Sequence, residues 1–182
     1  DMSVMDGAGK TVARNINEVR PQKFQSGTGL ARELLFRNFV TGCTMLVDAR
    51  TAKEAVPFCP GMVHDQYLAL LCADRGAILS LEQPLIRYRI HGENQTGTLS
   101  GVSDKNSYER IRVEGSILRM EWLRDHVAFH DADTRKALDE ALLWTQARRW
   151  FSPVTVCFES IAPYLPDVVF RKIVRLRKRT TM

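Results

Sequence analysis

The feature that most constrains how this chain folds is a change of period near residue 105. Beyond that point Tyr108, Ile111, Leu118 and Trp122 recur at helical spacing, which predicts a long helix from Lys105 to about Ala128. Asp133, a residue type that caps helix starts well, opens a second predicted helix that runs to Trp150 and stops before Pro153. Before residue 100 the texture is different: short apolar runs alternate with glycine- and proline-marked turns. A short helix is predicted over 30–37, and a buried strand, or a loop feeding one, over 38–47. A helical turn follows over 48–57, ending at Pro57. Another helix starts at about Asp65, with Tyr67, Leu68, Leu71 and Cys72 on its apolar face and Gly76 as its stop. Two short extended pieces lie over 78–81 and 85–90, and a polar, glycine-containing stretch fills 91–104. The expected class is therefore an α/β portion, residues 1–100, followed by an α-helical appendage, residues 101–182.

Composition narrows the class further. Hydrophobic residues make up 45% and charged residues 26% of 182, as in an ordinary globular chain. No window approaches the roughly 20 apolar residues needed to cross a bilayer, and Asp1-Met2-Ser3 lacks a signal-peptide pattern. Asp1 reads as an internal residue of something longer. Four scattered cysteines, Cys43, Cys59, Cys72 and Cys157, form no CxxC pair. Cys43 and Cys72 stand among apolar neighbours as small buried hydrophobes, and a reducing, cytoplasmic setting is expected. The net charge of +5 is local: without the six cations of residues 171–182, the first 170 residues stand at −1. A nucleic-acid partner is not expected, because its basic surface would be spread over the fold.

Three segments stand out for chemistry: Thr41-Gly42-Cys43-Thr44, the run opened by His64-Asp65, and the stretch from Pro84 to Gly97. Read one residue at a time, each has a structural explanation. An aspartate at a helix start is a routine partner of the helix dipole. His64 is either a supporting partner of that acid or simply exposed. A histidine such as His91 after an extended run is commonly a hydrogen-bonded structural residue, and Arg89 near a strand end is commonly a surface cation. The literal Asp131-Ala132-Asp133 lies between two predicted helices, where capping by Asp133 accounts for it.

Taken together, in their order, Asn38-Phe39-Val40-Thr41-Gly42-Cys43-Thr44-Met45, His64-Asp65-Gln66-Tyr67-Leu68-Ala69-Leu70 and Pro84 through Gly97 resemble the C-terminal half of family 2 glycosyltransferases of the bacterial polysaccharide type. The resemblance covers residues 1–97. Asp1-Met2 and the Asp6-Gly7-Ala8-Gly9 turn look like the segment just past that family's metal-binding aspartates. It implies the C-terminal part of a GT-A fold, with the nucleotide-binding half absent and the fragment inactive alone. By resemblance, Asp65 is the catalytic base that takes the acceptor's proton, and Thr41, Gly42 and Cys43 form a loop lying beside donor sugar and acceptor. His64 supports the base, Arg89 meets the diphosphate, and His91 helps hold a divalent metal, Mg2+ or Mn2+. The implied partners are a nucleotide-diphosphate sugar donor, rhamnose on a thymidine carrier being the nearest in flavour, and a glycan or lipid-linked acceptor in cell-surface polysaccharide synthesis. Inversion at the anomeric carbon is implied too.

At about 100° per residue, residues 168–179 group Val169, Phe170, Ile173, Val174 and Leu176 on one face and most of the cations on the other. Such a helix suits an anionic membrane surface, through residues 167–182, at the inner face of the membrane. It equally suits a terminal helix docked on its neighbours, with its charges solvated. Trp144 and Trp150 are expected in the core of the appendage. Two other readings stay open: a non-catalytic membrane-associated or adaptor fragment, and a His-Asp phosphohydrolase. The second lacks the histidine it needs upstream of His64.

Overall fold

A computed structural model describes residues 1–19, 24–90, 101–146 and 161–179. The chain is mixed α/β, with many helices and a few short strands. It divides into two units, Asp1–Glu93 with Val127–Leu138, and Asn94–His126 with Asp139–Met182.

The first unit is built around a three-stranded sheet. Its central strand, β1 (Met2–Met5), pairs antiparallel with β2 (Thr11–Ala13). On the other side it runs parallel to the 86–89 strand, Met2 opposite Ile86 and Met5 opposite Arg89. Alternation along β1 sends Met2 and Val4 into a core shared with Ala13 and Ile16. The turn between β1 and β2 is closed by Asp6, whose carboxylate accepts the backbone N–H of Ala8 at 3.0 Å and of Lys10 at 2.9 Å. Gly9 takes the left-handed φ of 88° that this turn requires.

A second, two-stranded sheet pairs β3 (Gly27–Thr28) with β4 (Ala77–Ile78). Between them come α1 (Ala31–Phe36), α2 (Ala49–Glu54) and α3 (His64–Arg75), and the 86–89 strand follows as β5 (Ile86–Arg89). Helix α3 lies against α1, α2 and β4, so its burial extends beyond one stripe to Tyr67, Ala69, Leu70, Leu71 and Ala73. Leu68 and Cys72, expected on the buried face, are half-buried instead. Gln66 is buried and satisfied, donating from Nε2 to the carbonyl of Leu34 at 2.7 Å. Of the two alternatives for residues 38–47, the loop is observed. It holds one 3-10 turn, Gly42–Thr44, and no strand among its residues.

In the second unit α4 (Lys105–Tyr108) opens with a capping box between Asp104 and Ser107. A π-helical stretch, Glu109–Glu114, then leads into α5 (Gly115–His126). The sequence reading runs one regular helix through this region. The π turn adds a residue to the phase, so Val113, Met120 and Leu123 face inward while Leu118 is exposed. Helix α6 (Ala132–Gln146) belongs to the first unit as far as Leu138 and to the second from Asp139, and α7 (Asp167–Arg179) ends the described chain. Phe170 and Val174 of α7 pack with Val102, Tyr108 and Ala162. Residues 147–150, and the Trp144 and Trp150 side chains, lie outside the description.

The sequence reading also places all of 101–182 in the appendage, whereas Val127–Leu138 groups with the first unit. The anchor is Asp74. Its carboxylate, 3% exposed, accepts the backbone N–H groups of His130 and Asp131 and the His130 Nδ1 at 2.9–3.0 Å.

Three helix-capping carboxylates share one electrostatic signature. Asp48 is lowered below its ordinary 3.8 chiefly by the Thr51 N–H, Asp104 by the Ser107 N–H, and Asp131 by the Thr134 hydroxyl. A depressed folded-state value means that the stabilisation is present above pH 3.8 and is lost as the pH falls below it. Asp104→Asn is expected to flatten the acid limb of an unfolding-versus-pH curve. An unchanged acid limb would show that the cap contributes nothing.

Candidate active site

The site forms where the loop over 38–42 meets the first turn of α3. Val63 holds the N-cap position without a side-chain cap. Asp65 therefore lies inside the helix, and its carboxylate is free to reach across to the loop. Oδ1 accepts the Asn38 side-chain amide at 3.0 Å and the Gln66 N–H at 2.7 Å. Oδ2 accepts the Gly42 N–H at 3.0 Å. Asn38 is itself oriented by the Val40 N–H, which donates to its Oδ1 at 3.0 Å. A carboxylate offers about four acceptor positions. Three are engaged here among the described residues, and the fourth is a lone pair on Oδ2. The group is half-buried, and its orientation is fixed by donors on three sides.

Gly42 passes close beneath the His64 ring. A Cβ there would lie 2.7 Å from His64 Nε2 and 3.6 Å from Asp65 Cβ. His64 is exposed, so its ring can yield. Gly42→Ala is accordingly expected to change stability by less than about 1 kcal/mol while driving the ring off the loop. The His64 imidazole resonances should move. The double change with His64→Ala should be non-additive, because the methyl then meets no ring. Additive effects would mean that the ring does not stand over Gly42.

The remaining expected residues divide. Thr41 braces the 3-10 turn, its carbonyl accepting the Thr44 N–H at 2.9 Å and the Thr44 hydroxyl at 2.8 Å. Cys43 is exposed, contrary to the expectation of burial, because the turn points it away from the core. Cys72 is half-buried, and burial raises its thiol above the ordinary value. Arg89 lies on β5, where its guanidinium donates to the carbonyl of Gly7 at 2.7 Å and of Asp6 at 3.4 Å. In this structure it clasps the β1–β2 turn, and only the register of β1 with β5 brings it there. His91 and the motif through Gly97 lie outside the described residues. Among the described residues no three His, Cys, Asp or Glu side chains could together hold a metal. The metal expectation therefore rests on His91. Asp131-Ala132-Asp133 is used structurally, with a correction: Asp131, not Asp133, caps α6, accepting the Thr134 N–H at 2.9 Å.

Sequence reasoning passed over Asn38 as a site residue. Its signal was local, an amide four residues before a glycine in a polar-apolar loop, but its partner stands 27 positions away.

Behind the same turn runs a groove of about 1110 Å³, lined by Cys43, Thr44, Met45, Leu46, Leu79 and Leu81 among others. Leu46, Leu79, Leu81 and Leu85 are exposed there. Gly42 thus turns its N–H to Asp65 while its neighbours border the groove. No family model, curated protein or solved structure matches the chain.

Proposed function

We propose that the first unit is the acceptor-side half of a glycosyltransferase of the GT-A type, with Asp65 as its base. The observation that carries this reading is the geometry of Asp65: a carboxylate held rigidly by Asn38, Gly42 and Gln66, with one lone pair of Oδ2 left unused among the described residues. A base must be preorganised and must also keep an acceptor position for the proton it removes. The side-chain-free backbone at Gly42 lets a substrate approach that position.

In the reaction, an acceptor hydroxyl oxygen bonds to the anomeric carbon of the donor sugar. The bond from that carbon to the diphosphate oxygen breaks, and its electron pair leaves with the nucleoside diphosphate. The hydroxyl proton passes to Asp65 Oδ2. A single displacement of this kind inverts the anomeric centre. His64 borders the acceptor approach, Thr41 braces the loop through its carbonyl, and Cys43 lies exposed beside it. The apolar groove supports the same reading, since its exposed leucines suit the packing of a nucleotide-binding half.

The test is sugar transfer from a panel of nucleoside diphosphate sugars, assayed in protein carrying both halves. Product that depends on Asp65 is expected. Transfer that is indifferent to Asp65 ends the proposal.

A further inference from the structure

We propose that α7 carries a docking surface for an anionic lipid bilayer, independent of the sugar-transfer reading. The helix is divided in a way that its sequence does not show. Of the five apolar residues that one wheel face would collect, only Phe170 and Val174 are turned into the unit's core, at 1% and 3% exposure. Val169, Ile173 and Leu176 remain exposed at 42%, 36% and 54%. At about 100° per residue these three fall within an arc of about 60°, beside the buried pair and distinct from it.

Cations border that stripe on both sides. Lys172 follows Leu176 around the helix, and Arg177 lies between Ile173 and the buried face. Arg175 and Arg171 continue the charged arc beyond Lys172. All four are exposed. Neither Lys172 nor Arg175 has an ion pair among the described residues. The nearby acids lie on the far side of the arc: Asp167 pairs with Lys105 at 3.7 Å, and Asp104 faces Arg171. No acidic residue occurs from 168 to 182.

A solvated charged face explains the cations but leaves three adjacent aliphatic side chains partly exposed to water. A docked terminal helix explains burial, and Phe170 and Val174 already supply it. An exposed aliphatic stripe edged by cations matches the boundary between acyl chains and acidic headgroups, where the aliphatic groups insert and the cations meet phosphate and carboxylate. Charge complementarity thus selects the occupant.

The experiment is flotation of the whole chain with phosphatidylcholine vesicles, with and without phosphatidylserine. Binding to the phosphatidylserine vesicles is expected to be about tenfold tighter or more, and to fall by a similar factor in the double variant Lys172→Glu, Arg175→Glu. Arg32→Glu, an exposed charge reversal in the first unit, should leave binding unchanged. Ile173→Asp should abolish binding in a protein that stays folded, since the side chain is exposed at 36% and lies outside the buried cluster. Equal binding to both vesicle types, or binding that survives the double reversal, overturns the proposal. So does a concentration-dependent dimer that Ile173→Asp dissociates in the absence of vesicle binding, which would assign the stripe to a second copy of the chain.

Discussion

Asp65→Asn is expected to lower sugar transfer by about 10²–10⁴-fold, the usual contribution of a positioned general base, while donor binding stays close to normal. The amide cannot accept the transferred proton at neutral pH. It also cannot satisfy its three neighbours. Asn38 and Gln66 both donate toward one oxygen and Gly42 toward the other, so one side of an amide must set its NH2 against an N–H. That opposition costs about 1–3 kcal/mol, and the variant should melt somewhat earlier. Activity therefore has to be compared at a temperature where both proteins are folded, with donor affinity measured separately. A loss confined to kcat supports the base. Unchanged turnover in a folded variant rejects it, and a loss of donor affinity alone would move Asp65 to the binding of substrate.

Phe170→Ala is expected to destabilise the second unit by about 3–5 kcal/mol, measured by urea unfolding. The ring is almost fully buried and meets Tyr108 edge to face, with centroids 5.8 Å apart and planes at 84°. Val102, Ala162 and Val174 belong to the same buried cluster among the described residues. Removing it loses the transfer energy of the ring and leaves a cavity that a small cluster cannot readily close. Val169→Ala, one residue away, should cost no more than about 0.5 kcal/mol, as is usual for surface positions. Equal costs at the two sites would show that α7 does not bury the face described. The pair also separates stability from lipid docking, which uses Val169 and leaves Phe170 in the core.

Much of the local structure was legible because its causes are local. The helix over 30–37 and the α3 start and Gly76 stop lie within a residue or two of Ala31–Phe36 and His64–Arg75. Gly7 and Gly9 announced the turn that Asp6 closes. The candidate site was legible in part. Gly42, His64 and Asp65 were singled out by motif, and they do stand together, but that conjunction says nothing of itself about catalysis. Arg89 was assigned by motif to a substrate phosphate, and here it meets the carbonyls of a turn.

What the sequence by itself determined is where helices begin and stop, where the turns fall and where charge collects, since caps, glycines and periodicity act over a few residues. Only the tertiary structure decided which side of each element is used. It split the apolar residues of α7 between core and solvent, shifted the face of α5 through the π turn, and exposed Cys43. It also brought Asn38 and Gly42 to a carboxylate more than twenty residues away, and 130–131 to Asp74. Those outcomes depend on packing partners distant in the chain, and no short window of residues contains the neighbours that select them.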